Sequence, residues 1–540
     1  MKLSMVSICA TALFVLAAPL ELTAQGNLAP STVPTIKVTS SLVFLDVTVL
    51  DKKGRPVVRG LTKDDFTITE DNKPQTIFSF QSPEAGRRTK GGDNENPNGE
   101  APKTILVMDR LNSSFSDFAY IRHAVEQFLK AQHSTLASPT ELLILGNESL
   151  ELVQSFTRSR AQLLEAVEQL PPVLPYKFVS GSFAAERAGQ SLEALDQIAL
   201  QNKGVPGRKN IVWVGRGTPA LYLENASLPS DFVAQMKQNV HATTNMLVHA
   251  RISLFVIYPG LSVRYGAMTL TESDSVTDLG DSDPFAGDIN FGLLSNETGG
   301  KLFYNHNNVA MEMKESERMG SHYYTLTYQP QNETQDGKFR RIRVALRNPN
   351  LRAVTKAGYY AEDARAPIDA RQQRLMRLSE AVQSTIPFNS LNLALSSVVR
   401  HPDTQTVGFT VDVESKNLKF DPTQNGTSTA QLIVAAASLN QDGNVLASKT
   451  QTVTLIAHSS DPANLPEVAS QFPFMIRIPI KTSTVRVIVQ QQEGGRIGSA
   501  ELSRTALLAA PATNSASSPI PTRGSSAHPI RHKHLSAQAR

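Results

Sequence analysis

The sequence predicts a multidomain α/β plus β fold: one domain with a parallel sheet covered by helices, β-sandwich elements on both of its flanks, and a C-terminal β-sandwich. Three observations carry this. Over residues 103–308 short apolar runs alternate with stretches of helical spacing, the pattern of strands joined by helical crossovers. Over residues 36–81 and 320–361 the hydrophobic period is two and turn residues separate the runs. The same signature returns over residues 388–503 with regular turn signals, as in an immunoglobulin-like sandwich.

The chain has 540 residues, too many for a single core. Its apolar content of 40% and charged content of 19% suit a folded globular protein. A net charge of +4 on this length, with no basic run interleaved with aromatics, argues against a nucleic-acid partner. Residues 1–24 start with a positive charge, continue as an apolar run and reach the small-residue site Leu22-Thr-Ala24, so they read as a signal peptide. The competing reading is an uncleaved anchor, but the run is shorter than the ~20 residues a spanning helix needs. No later stretch is apolar for long enough to span a bilayer, and the expected location is exported: periplasmic, cell-surface or secreted. Cys9, the only cysteine, lies within the signal, which removes disulfides, thiol catalysis and cysteine-ligated metals together.

In chain order, residues 36–81 read as short strands with turns at Asp51-Lys-Lys-Gly54 and Asp71-Asn-Lys-Pro74. Residues 82–102, rich in Gly, Asn, Pro and charge, read as a linker. The α/β region opens with Lys103-Thr-Ile-Leu-Val-Met-Asp109, an apolar strand that ends on a carboxylate and runs into Asn112-Ser-Ser114. Ligands of open α/β sheets gather at the carboxyl ends of such strands, so Asp109 marks the expected functional rim. A later strand ends in Val214-Gly-Arg-Gly217 and brings Arg216 to the same rim, while the polar residues 261–289 read as a loop there. Neither β flank has a full set of strands, so residues 320–361 are expected to complete the sandwich begun by residues 36–81. Residues 370–384 have the spacing of an amphipathic helix. Residues 506–540, largely Ser, Ala and Pro with scattered Arg and His, are expected to be disordered.

Several stretches, taken as an ordered set, resemble the VWFA-related family described from acidobacteria, an exported branch of the von Willebrand factor type A domains. They are Leu45-Asp-Val-Thr-Val49 with Leu61-Thr-Lys-Asp-Asp-Phe66, Ile105-Leu-Val-Met-Asp109, Gly207-Arg-Lys-Asn-Ile-Val-Trp213, Thr298-Gly-Gly-Lys-Leu-Phe-Tyr304, Tyr324-Thr-Leu-Thr-Tyr328 and Asp336-Gly-Lys-Phe-Arg-Arg341. The resemblance spans residues 38–361. It implies a Rossmann-like domain and, for type A domains in general, a metal-dependent adhesion site: Asp-x-Ser-x-Ser after the first strand, a Thr from a later loop, and an Asp after a central strand.

On this chain that pattern is degenerate. Asp109 and Ser113 match, Leu111 stands where the first Ser is expected, only Ser180 and Ser182 are available in the later loop, and Gly215-Arg216 replaces the last acid. Mg²⁺ or Ca²⁺ wants more oxygen ligands than Asp109 and Ser113 supply, so no cofactor is expected. Two readings of the replacement stay open: Arg216 grips a partner's carboxylate, or Arg216 and Asp109 simply pair. No Gly-x-Ser-x-Gly, phosphate loop or His-Glu-x-x-His is present, and no enzymatic activity is expected. The expected function is a protein-interaction or adhesion-type module at the cell envelope or outside the cell. Its ligand-binding rim would comprise Asp109, Asn112, Ser113, Ser114 and Arg216. The alternative is an architectural envelope protein whose β domains make the contacts.

Overall fold

The computed structural model describes residues 42–83, 102–174, 177, 183–217, 221–222, 229–259, 283–285, 288–304, 308–361, 370–414, 418–423, 427–457, 469–492, 495–513 and 536–539. The segment read as a signal peptide, Ser180, Ser182, and most of the linker, the 261–289 loop and the C-terminal tail lie outside these residues.

Strands β1 (Val43–Leu50), β2 (Phe66–Glu70), β3 (Lys73–Gln75) and β4 (Ile77–Gln81) precede the α/β domain. That domain runs β5 (Lys103–Asp109), α1 (Phe115–Lys130), β6 (Thr135–Leu145), β7 (Leu150–Ser159), α2 (Arg160–Glu168), α3 (Ala184–Gln201), β8 (Lys209–Val214), β9 (Leu221–Tyr222) and α4 (Ser230–His249). It continues with β10 (Ile252–Ile257), β11 (Asp288–Ile289), α5 (Phe291–Glu297), β12 (Lys301–Phe303) and α6 (Val309–Gly320). Its main sheet has the order β12-β10-β8-β5-β6-β7. Every neighbour pair is parallel except β6 and β7, whose antiparallel pairing closes one edge. The order reverses between β5 and β8, which makes their carboxyl ends the topological switch point.

Side-chain alternation along these strands divides the core into two layers. Ile105, Val107, Ile211 and Trp213 face α3, α4 and α5, meeting Leu195, Val240 and Leu294. Leu106, Met108, Val212 and Val214 face α1, α2 and α6, meeting Val125, Leu163 and Met313. Period two thus explains why both faces of each strand are apolar: both are covered. Helix α6 carries the domain past residue 308. The Asn308 side chain accepts the Met311 N–H at 3.0 Å as the N-cap, and Val309, Met313 and Met319 are buried on one side.

The two flanks interleave. The strand sets are β13 (Tyr324–Tyr328), β14 (Phe339–Leu346), β15 (Arg352–Val354) and β16 (Gly358–Tyr360) with β1 to β4, in two four-stranded sheets ordered β15-β1-β13-β4 and β16-β14-β2-β3. Leu45 registers with Leu326 and Ile68 with Val344 around a core that includes Val47, Tyr324 and Tyr328. Within it the buried Glu70 accepts the Tyr328 hydroxyl at 2.5 Å and the Tyr359 hydroxyl at 3.1 Å.

The segment Gly207-Arg-Lys-Asn210 fastens the base of the α/β sheet to this sandwich. Buried Arg208 donates Nη1–H to Thr48 Oγ1 at 2.9 Å, Lys209 Nζ caps the Val205 and Gly207 carbonyls, and Asn210 Nδ2 reaches the Gly320 carbonyl at 3.1 Å. Beside them Arg251, in the left-handed region at φ 56°, donates Nε–H to Asp46 Oδ2 at 3.0 Å and also bonds Asp46 through Nη2. That carboxyl sits below its ordinary range: burial pushes it up, but Arg251 and Arg208 together outweigh the burial.

Helix α7 (Ala370–Gln383) leads to the C-terminal sandwich, whose strands are β17 (Leu393–His401), β18 (Thr406–Glu414), β19 (Asp421–Pro422), β20 (Ser428–Leu439), β21 (Val445–Ala457), β22 (Ala469–Arg477), β23 (Thr484–Gln491) and β24 (Ile497–Ser503). Its sheets are ordered β17-β18-β22 and β24-β23-β20-β21, with Phe409, Val434, Val453 and Phe474 between them. Leu378, Ala381 and Val382 of α7 pack with Leu200 of α3 and with Ile433, Ala435 and Ile488, an apolar seam between the α/β domain and this sandwich. The start expected for the disordered tail is corrected: Arg504–Ala509 forms helix α8 with Leu507 buried, and Ser536–Ala539 pairs antiparallel with β21 as β25.

Candidate apical site

Asp109 ends β5 at the switch point and is fully buried. Its Oδ1 accepts the Asn112 backbone N–H at 2.9 Å and the Asn112 amide at 3.3 Å. Its Oδ2 accepts the Trp213 indole N–H at 3.0 Å, the Gly217 backbone N–H at 2.9 Å and the Asn112 amide at 3.2 Å. Burial pushes this carboxyl up to about 6, against the pull of these donors. At neutral pH the group is therefore an ionised acceptor, fully engaged.

Two glycines permit this approach. A Cβ on Gly215, at φ +148°, would lie 2.4 Å from the Asp109 Cβ, and one on Gly217, at φ +67°, would lie 2.3 Å from the Phe291 ring. Phe291 in turn meets Trp213 edge-on with centroids 4.8 Å apart. The chain leaving β8 is thus locked against β5 and α5.

The other residues expected at the rim divide by depth. Asn112 and Ser113 are buried, and the Ser113 hydroxyl donates to the Asp109 carbonyl at 2.6 Å. Ser114 is the N-cap of α1, accepting the Asp117 N–H at 3.0 Å. Arg216 is 20% exposed at its side chain. It bonds Asp117 Oδ2 at 3.2 Å and lies over the Tyr258 ring at 5.4 Å. The pairing of Arg216 with Asp109 is corrected: among the described residues the acid that Arg216 meets is Asp117, and Asp109 faces inward beneath Gly215 and Gly217.

Arg187, which sequence spacing did not single out, enters from the first turns of α3. It donates Nη1–H to Asn112 Oδ1 at 3.2 Å, and Asn112 also donates to Ser191 Oγ at 2.9 Å. Burial lowers the Arg187 guanidinium from its ordinary value and the Asp109 charge opposes that. A charged residue on a helix ordinarily reads as solvated, which is why its spacing gives no signal of this contact.

The donor set does not fit a divalent cation. Both carboxylate oxygens already accept hydrogen bonds, the Ser113 hydroxyl is turned to a carbonyl, and Leu111 is buried among apolar side chains. Among the described residues no group of three or more His, Cys, Asp and Glu side chains stands together as a metal site.

The strand order, the antiparallel edge and the two helical layers define a Rossmann-like α/β domain within a larger β-rich chain. No known family model matches the chain, and no curated protein does. Solved structures similar to it include the SpRpn10 VWA domain, at 14% identity and TM-score 0.18, covering 29% of this chain and 75% of that one. Proximal thread matrix protein 1 of the mussel byssus matches at 10% identity and TM-score 0.19, covering 30% of this chain and 38% of that one. The human COPII-coat protein Sec24c matches at 7% identity and TM-score 0.20, covering 75% of this chain and 43% of that one.

Proposed function

We propose that this chain is an exported, non-catalytic protein-interaction module of the VWFA-related type, which takes a protein partner at the cell envelope or outside the cell on the apical end of its α/β domain. One observation carries the reading. Among the described residues of 103–320, the exposed large hydrophobic side chains are Phe115, Val173, Leu174 and Met311. All belong to the end of the sheet where Asp109 lies: Phe115 opens α1, Met311 lies in the first turn of α6, and the Leu174 carbonyl accepts Asn147 beyond the end of β6. Apolar groups concentrated on one face mark an interaction surface where scattered ones would not. Arg216, half-buried beside Asp117 of α1, supplies a cation for an acidic group of the partner. Asp109 and Ser113 bond internal partners and shape the floor beneath this face.

No helix among the described residues is long and apolar enough to cross a membrane. The test is capture from envelope extract with the combined variant Phe115→Ser, Leu174→Ser, Met311→Ser. Loss of a partner that the parent chain retains, with thermal stability unchanged, is the expected result; undiminished capture overturns the apical reading.

A second reading has its own observation. Phe78 on β4 is 72% exposed on the first sandwich. If the chain is architectural, with contacts made by its β domains, Phe78→Ser abolishes capture and the apical variant does not.

A further inference from the structure

We infer that the apical site is built to work without a metal: hydrogen-bond donors around Asp109, backed by the Arg187 guanidinium through Asn112, hold the position beside that carboxylate which a divalent cation would need. An ionised carboxylate offers about four acceptor positions. At Asp109 these are taken by Asn112 N and Nδ2, Trp213 Nε1 and Gly217 N, at 2.9 to 3.3 Å. A Mg²⁺ ion at its ~2.1 Å ligand distance must displace at least one of them. None can yield cheaply. Trp213 is fully buried edge-on to Phe291, and Gly217 is pressed against the same ring.

The backing charge is fixed with equal care. Arg187 is 8% exposed, and its own carbonyl accepts the Ser191 hydroxyl at 2.8 Å. Ser191 Oγ in turn accepts from Asn112 Nδ2 at 2.9 Å. Asn112 is therefore held in one orientation, with its amide toward Asp109 and its carbonyl oxygen toward Arg187. A divalent ion entering here would add its charge next to Arg187 and Arg216 in a poorly solvated site, where like charges repel strongly. Arg187 is a positioning residue: it acts on Asp109 through Asn112.

The inference deepens the apical reading of the interaction face, and its test uses the metal alone. A partner that fails to bind and a metal that does bind are separate outcomes. Trp213 is the sole tryptophan of the chain, so 5-fluorotryptophan labelling of the full chain gives one fluorine NMR signal, at an indole bonded to Asp109. After EDTA treatment, millimolar Mg²⁺ or Ca²⁺ should leave that signal in place, and substoichiometric Mn²⁺ should leave it sharp. A saturable Mg²⁺ or Ca²⁺ shift, or selective broadening by Mn²⁺ that excess Mg²⁺ reverses, overturns the inference. Arg187→Gln should move the signal with no metal present. A signal unmoved by that substitution removes Arg187 from the relay, and an Arg187→Lys signal lying between those of Arg187→Gln and the parent chain supports it.

Discussion

Trp213 and Asp109 join the two strands that meet at the switch point: the indole Nε1 lies 3.0 Å from the carboxylate Oδ2, and both side chains are fully buried. This bond between charged acceptor and aromatic donor adds to the β5–β8 ladder and to the Gly217 N–H in tying the ends of the two strands from which the apical loops depart. Replacing Trp213 by Phe deletes that donor and leaves space beside Phe291. A hydrogen bond to a charged group contributes ~1.5–3 kcal/mol, and the lost volume adds to it. Urea denaturation should show a loss of about 3 kcal/mol, and a loss below about 1 kcal/mol would mean that the bond contributes little.

The Asp109 carboxyl titrates near 6 in the folded chain, raised from 3.8 by burial. Between those values the folded protein holds a proton that the unfolded chain has released. This group's contribution therefore falls as pH rises from about 4 to about 6, by at most about 3 kcal/mol, and is constant above that window. Carbon-13 detection of the Asp109 carboxyl should give a midpoint near 6. A midpoint below the ordinary aspartate value would show that the donors outweigh burial.

Two glycines should respond to alanine in opposite ways. At Gly215 a Cβ would meet Asp109 at 2.4 Å, whereas at Gly189, inside α3, it would meet nothing within 4 Å. Gly215→Ala should lower the melting temperature by an amount equivalent to about 2 kcal/mol or more, from strain and contact. Gly189→Ala should raise stability by about 0.5–1 kcal/mol through helix propensity. Equal effects would contradict the packing described between β8 and β5.

Asp46 and Arg251, with side chains 10% and 13% exposed, form a largely buried pair joining the first sandwich to the base of the α/β sheet. Asp46→Ala leaves Arg251 and Arg208 without their shared carboxylate, a loss of about 3–5 kcal/mol for a buried charge. Hydrogen exchange should then quicken in β1 and at the start of β10 together. Loosening confined to β1 would show that the two domains are fastened elsewhere.

Much of the architecture was legible because it rests on period. The continuous apolar runs at residues 104–108, 210–214 and 252–257 announce strands covered on both faces, and Asp109 at the end of the first announces the rim. Helix α6 was not read from the sequence because the charged run Lys314-Glu-Ser-Glu-Arg318 hides the spacing of Val309, Met313 and Met319. The absence of a cation's ligand set was legible, at Leu111 and Arg216, and the contacts that stand in its place were not. Arg187 and Asp117 read as ordinary helix charges; what makes them members of the site is the turn of α3 toward Asn112 and the fold of β8's exit over α1. Gly207-Arg-Lys-Asn210 reads as one signature with Trp213, yet its first residues serve the base of the sheet and its tryptophan the apex.

The most direct test of the interaction face is photo-crosslinking in cells that express the protein, with p-benzoylphenylalanine placed singly at Met311, Leu174, Phe78 and Ile480. The apical positions Met311 and Leu174 should yield the same protein adduct, and Phe78 and Ile480 on the sandwiches should not. An adduct from Phe78 or Ile480, with none from the apical pair, would contradict the account.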